Sequence, residues 1–277
     1  MFGYFGITPM GLVGAAWATV IALCYRTVRL AIPLLMPSFH DLYHTRETWR
    51  PSWSHIADLF RVGMPVALQW TSEILVWTLF VSVLIGRFFG TADLIATNAT
   101  WQYLRLAFLP TVGVGQSLTA LVGKAIGAGD TERAMRDTRF AAILTVVYMG
   151  AIAVFYAAAG SWLIGLFSED LEVIRVGRWV MVCAAAFQIF DALAITYVSA
   201  LRGAGDTFIP SIFLSVSLWV VVIGAGWGIA VLFPGLRSIG PWMAAAALIM
   251  LTSFFLWWRW SCGAWRKLDI FRAATAD

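Results

Sequence analysis

Seven apolar runs, each long enough to cross a bilayer, dominate this chain and leave little else for it to build with. They fall at about residues 10–32, 62–85, 94–122, 138–166, 173–200, 209–233 and 238–260, bounded by Gly, Pro and charged residues. A transmembrane helix needs about 20 mostly apolar residues to match the hydrocarbon thickness. Inside lipid every backbone N–H and C=O must be bonded within the protein, so only helices and closed barrels cross it. Uninterrupted runs of this length, without alternation of polar and apolar residues, select helices. The expected fold class is all-α: a polytopic membrane protein of about seven transmembrane helices. Composition agrees, with 61% of the 277 residues hydrophobic and 12% charged, where a soluble domain carries about a quarter. The net charge of +4 comes without a basic run, which argues against nucleic acid as a partner and for Lys/Arg bias between the two sides of a membrane.

The one long polar stretch lies between the first two runs. In PSFHDLYHTRETWRPSWSHIADLFRVG, Trp53, Ile56, Leu59 and Phe60 recur at helical spacing, as in an amphipathic helix lying at the interface. His40, Asp41 and His44 share this segment, but without a third ligand at convincing spacing they read as solvated side chains. If the segment is cytoplasmic, most of the 19 Lys and Arg fall on the inner side, Arg202 and Arg259 among them, and the C-terminus is cytoplasmic. Many of the 15 Trp, including Trp162, Trp179, Trp242, Trp257, Trp258 and Trp260, sit near span ends, as in an interfacial belt. The N-terminus, MFGYFGITPMG, lacks the charged start and cleavage site of a signal peptide, so the first run is expected to be retained. Cys24, Cys183 and Cys262 show no pairing pattern.

Two echoes suggest a repeated architecture. GAGDT occurs at 127–131 and at 203–207, each after an apolar run. Its glycines permit a left-handed helix stop and its Asp can cap the helix that follows. The first run, GLVGAAWATV, resembles the last, SIGPWMAAAALI, as if the final helix of one repeat preceded a complete six-helix repeat.

Of the 15 Asp and Glu, all but two fall in loops, in the polar segment, at span ends or in the tail. The exceptions are Glu73, in PVALQWTSEILVWTLF, and Asp191, in CAAAFQIFDALAITYVSAL. An ionised group at the bilayer centre costs roughly 2.5–3.5 kcal/mol on insertion scales, so such residues mark ion or substrate pathways. The bland alternative is a neutral acid bonded to a neighbouring helix. Gln69 lies four residues before Glu73 and Gln188 three before Asp191, each at a spacing that shares a helical face. Phe187 would set an aromatic ring beside Asp191, suited to a flat organic cation, or would simply pack in the core. Either acid could exchange a proton or receive Na⁺, and the sequence leaves both open. Asn98, Gln102 and Gln116 in the third run, with Tyr197 and Ser199 below Asp191, are weaker supporting candidates. Pro65 and Pro110 can kink or start helices.

GLVGAAWATVIALCYR, GMPVALQWTSE, PTVGVGQSLTALVGKAIGAGDTERA and FQIFDALAITYVSALRGAGDT, in this order from about residue 10 to 260, resemble the multidrug and toxic compound extrusion (MATE) family. The resemblance implies a fold of two facing six-helix lobes that exports organic cations and drugs against Na⁺ or H⁺, with no other cofactor. It implies that residues 1–36 hold the last helix of the N-terminal lobe, 37–61 a cytoplasmic linker, 62–262 the six-helix C-terminal lobe and 263–277 a cytoplasmic tail. Glu73 then matches the acidic position of the seventh helix and Asp191 that of the tenth. In the NorM-like branch both are implicated in cation coupling and drug binding, and Na⁺ would be held there. Phe187 stands where some of those relatives carry Tyr, which removes a hydroxyl ligand. The helices before the sixth are not in the chain, so it is expected to be a partial or truncated chain, or to work with a missing N-terminal lobe or another half-transporter. The expected setting is a bacterial inner membrane.

Two other readings bear on the same residues. GAGD fits the GxGD signature of intramembrane aspartyl proteases, but both copies sit at span ends beside Lys or Arg, where a catalytic Asp would not be. A lipid-linked oligosaccharide flippase of the same superfamily would need more cationic residues within its spans than this chain offers.

Overall fold

The computed structural model describes residues 11–36, 41 and 52–267, and every regular element among them is helical. Helix α1 is Gly11–Leu35. Helix α2, Trp53–Leu79, continues through a π-helical stretch, Phe80–Ile85, into Gly86–Phe88. Then come α3 (Thr91–Gly127), α4 (Thr131–Gly165), α5 (Leu171–Gly203), α6 (Phe208–Leu232) and α7 (Ile239–Ser261). A second π-helical stretch, Leu218–Ala225, interrupts α6. Six segments, Gly63–Phe88 and α3 to α7, are long and apolar enough to cross a membrane. The chain divides into two compact units between Leu59 and Phe60. In the first, α1 presents Val20, Ile21 and Leu30 exposed along its length. His40 and His44 lie outside the described residues.

The helices outrun the apolar runs that nucleate them. At 1.5 Å rise per residue, the 37, 35 and 33 residues of α3, α4 and α5 make rods of about 50–55 Å, against a hydrocarbon core of about 30 Å. Polar turns such as Thr131–Arg139 simply carry the helix out of the lipid. The same continuity makes the expected amphipathic segment the start of a longer helix. Trp53, Leu59 and Phe60 are exposed on the first turns of α2 itself, which runs unbroken past Pro65. Pro65 removes one backbone donor, and the segment is otherwise helix-forming on both sides.

The two GAGDT turns share a backbone and differ in chemistry. Gly129 and Gly205 both have φ +75°, a left-handed stop that glycine adopts without steric cost. Asp130 then caps α4, accepting the Arg133 N–H at 2.8 Å. Asp206 instead is buried and receives Arg259 of α7 through Nε at 2.7 Å and Nη2 at 2.9 Å. At the opposite end of the lobe, Asp93 in the first turn of α3 is fully buried. It accepts from Arg237 Nε at 3.0 Å, from the Ser238 N–H at 3.1 Å and from Ser238 Oγ at 2.6 Å, while Arg237 also pairs with Glu172 at 2.7 Å. Thus each end of the second unit is fastened by a carboxylate–guanidinium pair.

Between these ends the helices meet through small residues, the usual device where lipid removes the hydrophobic drive for helix association. A Cβ on Gly203 would stand 2.5 Å from the Thr119 carbonyl oxygen, and one on Gly115 would stand 2.6 Å from Ser199 Oγ. Thr119 Oγ1 donates to the Ser199 carbonyl at 2.9 Å across this α3–α5 seam. Near the Asp93 end, Trp77, Phe80, Trp101, Phe187 and Trp242 form one ring cluster, with Trp77–Trp101 centroids 4.8 Å apart and Phe187 stacked on Trp242 at 6.3 Å. Trp242 is fully buried there and gives its N–H to Thr97 Oγ1 at 3.3 Å. Trp242 is therefore core, not interfacial belt. Trp260 is also buried, stacked on Trp265 at 4.5 Å, whereas Trp162, Trp179, Trp257 and Trp258 are exposed as a belt requires.

Candidate cation-binding cavity

A cavity of about 190 Å³ opens between α2, α3, α5, α6 and α7. Glu73 reaches it from α2 and Asp191 from α5, with Gln69, Gln116, Ser199 and Arg202 on the same walls. The helical repeat explains the gathering. Asp191, Ile195, Val198 and Arg202 follow one another at steps of four, three and four, a single stripe of α5. Gln69, Glu73 and Trp77 form the matching stripe of α2.

Both carboxylates are half-buried, and neither has a hydrogen-bond or ion-pair partner among the described residues. They are close enough to act on one another through space, and Glu73 also feels Arg202. Ionised and unpaired, acids in a low-dielectric wall are costly. Arg202 is the fixed positive charge of the site. Its Nη2 donates to Gln69 Oε1 at 3.1 Å, the same oxygen that accepts Ser211 Oγ at 3.1 Å, while its Nε is buried without a partner. With both acids ionised, the two carboxylates and one guanidinium leave one net negative charge. Trp70, Trp77 and Phe108 supply aromatic wall beside it, which attracts cations by its ring faces.

Of the residues singled out from sequence, Glu73, Asp191, Gln69, Gln116 and Ser199 come together here. Gln102 and Tyr197 do not line the cavity, and neither do Phe187, Gln188 and Asn98. Phe187 and Gln188 lie one turn nearer the start of α5 than Asp191, where the core has already closed. Phe187 is packed on Trp242, and Gln188 is buried with its Nε2 3.7 Å from Met149 Sδ. Asn98 is exposed and donates to the Leu94 carbonyl of its own helix at 2.9 Å, two to three turns before the part of α3 that reaches the cavity. Arg202 was missed because charge counting assigned it to the membrane surface. Its spacing of 11 residues from Asp191, three turns on the same stripe, was the available signal. Asp93 and Asp206 likewise read as loop acids, yet each is buried against an arginine. With Asp130 capping a helix and Asp206 held by Arg259, the two GAGD copies form no catalytic dyad. Among the described residues no three His, Cys, Asp or Glu gather as metal ligands, so a Na⁺ held here would take its remaining oxygens from neutral groups on the same walls, such as Gln116 and Ser199.

Comparison with known proteins agrees with this architecture. The MatE family profile matches residues 65–227. A protein of Brucella suis biovar 1 named "Probable multidrug resistance protein NorM" is 31% identical over 266 residues, a match covering 94% of this chain and 56% of that protein. The protein of the same name from Rhizobium meliloti is 30% identical over 276 residues, covering 92% and 56%. In structure, a transporter of the MOP superfamily from Pyrococcus furiosus superposes with a TM-score of 0.77 at 22% identity, covering 94% of this chain and 58% of that one. The chain thus spans a little over half the length of the relatives it matches.

Proposed function

The chain belongs to the MatE family, whose members are transporters and not enzymes, and on that premise we propose that it supplies the ion-binding lobe of a cation-coupled antiporter exporting organic cations and drugs. The observation that carries the proposal is the pair of unpartnered carboxylates, Glu73 and Asp191, in one cavity at mid-span. One net negative charge selects a single monovalent cation. A proton, a Na⁺ or an organic cation can each neutralise it, and two such ligands cannot do so together without leaving excess charge. Competition for one site is the simplest physical basis of exchange. The aromatic and aliphatic walls favour an apolar organic cation over a hydrated one. The lobe would sit in a bacterial inner membrane with its Lys/Arg-rich ends cytoplasmic, facing a second lobe across which the substrate passes.

The test begins with binding. Purified chain titrated with tetraphenylphosphonium should bind it, and Glu73→Gln and Asp191→Asn should each weaken binding by roughly tenfold or more, the effect of deleting one nearby charge in a medium of intermediate dielectric. Competition by Na⁺ at fixed pH, or by protons at fixed Na⁺, identifies the coupling ion. In vesicles carrying the two-lobe protein, the same variants should stop efflux of a fluorescent cation. Unchanged affinity and efflux in both variants would sink the proposal.

A further inference from the structure

On the face of α5 opposite the acidic stripe, Leu193 and Tyr197 help line a separate open groove with Met135, Arg139, Ile143, Val146 and Val147 of α4 and Trp260 of α7. Most of its length is aliphatic. Its end toward the start of α4 is not. Arg139 is exposed and makes no hydrogen bond or ion pair among the described residues, and the Tyr197 hydroxyl is likewise unpartnered. A second guanidinium is brought to the rim from another part of the chain. Arg266 lies over the Trp265 ring at 5.3 Å and sets Nη2 2.9 Å from Met135 Sδ, while Trp265 is itself stacked on Trp260.

Depth matters as much as chemistry. The 35 residues of α4 span about 52 Å, so a hydrocarbon core of about 30 Å leaves roughly 11 Å of helix beyond each face if the overhang is shared. Arg139 is the ninth residue from the start of α4, about 12 Å along it. That places its guanidinium where hydrocarbon gives way to headgroups, with the aliphatic part of the groove running inward. Tyr197, whose neighbour Thr196 meets Thr145 at 2.9 Å, lines the groove on the bilayer side of Arg139.

We propose that this groove holds an anionic phospholipid of the bilayer, its phosphate between Arg139 and Arg266, its glycerol oxygens within reach of the Tyr197 hydroxyl, and one acyl chain along Ile143, Val146, Val147 and Leu193. The site is independent of the acidic cavity, which lies on the other face of α5. Charge complementarity decides the occupant: two unpaired or loosely held guanidiniums attract a phosphodiester, and a zwitterionic headgroup would bring its own ammonium into repulsion with them.

Native mass spectrometry of the purified full chain, incubated with equal phosphatidylglycerol and phosphatidylcholine, tests it. Wild type should retain phosphatidylglycerol over phosphatidylcholine by about fivefold or more, the effect of one guanidinium at an anionic interface. Arg139→Ala should lower phosphatidylglycerol retention by about fivefold, Arg139→Lys should keep most of it, and Val147→Trp, which fills the groove from an exposed position, should reduce both lipids. Arg105→Ala, on a different helix, should change nothing. Equal retention of the two lipids by wild type, or unchanged phosphatidylglycerol retention in the Arg139→Ala/Arg266→Ala double variant, would overturn the proposal. These substitutions are of exposed residues, so folding is not at stake, and failure here leaves phosphonium binding in the acidic cavity untouched.

Discussion

At the scale of single residues, Arg202 changes the character of the cavity more than any other side chain. Glu73 and Asp191 alone would present two negative charges, and a site of that kind holds divalent or paired cations. Arg202, anchored to Gln69 Oε1 at 3.1 Å, lowers that to one. At an effective dielectric of about 20, a unit charge several ångströms away is worth ~2 kcal/mol. Arg202→Gln should therefore tighten tetraphenylphosphonium binding by roughly thirtyfold, measured by titration of the purified chain. Gln69 keeps its bond from Ser211 Oγ at 3.1 Å, so the wall itself should persist. Equal or weaker binding in Arg202→Gln would show that the guanidinium is only a structural prop. Asp191 and Glu73 were legible in sequence because an acid inside an apolar run stands out. Arg202 was not, because an arginine at a span end is ordinary and only its place on the Asp191 stripe sets it apart.

At the scale of elements, the spans were legible from apolar run length, while their ends and internal registers were not. Hydropathy stops where the lipid stops, but the backbone ladder of α3 and α4 continues for turns beyond it. The π-helical stretches Phe80–Ile85 and Leu218–Ala225 are invisible in composition, since a one-residue slip in hydrogen-bond register leaves the side chains as apolar as before. Phe187 and Gln188 illustrate a third limit: they occupy the Asp191 side of α5, yet the cavity has closed at their depth, which helical spacing does not report. The seam between α3 and α5 gives a direct test of the packing. Gly203→Ala would drive a methyl to 2.5 Å from the Thr119 carbonyl oxygen, and overpacking of this kind costs about 1–3 kcal/mol. Its melting temperature in detergent should fall. Gly113→Ala, with nothing within 4 Å, should melt as wild type does. Matching temperatures for the two variants would contradict the close approach.

At the scale of the molecule, the second unit is closed at each end by a buried ion pair while its middle holds unpaired charge. Removing one member of a buried pair leaves the other uncompensated, a cost of about 3–5 kcal/mol. Asp206→Asn should accordingly destabilise the purified chain strongly, and Asp206→Asn/Arg259→Met should recover much of the loss, both read as thermal unfolding by tryptophan fluorescence. A single variant as stable as wild type would mean that water already reaches the pair. The acidic cavity, in contrast, has an electrical consequence. A pocket with one net negative charge accepts one positive charge at a time, whichever ion brings it. In the antiporter proposed above, exchange of one proton or one Na⁺ for one monovalent drug would carry no current, and the membrane voltage, worth ~2.3 kcal/mol per charge for each 100 mV, would do no work on the cycle. Such an exchanger would be driven by the concentration of its coupling ion alone and would keep running in a depolarised cell.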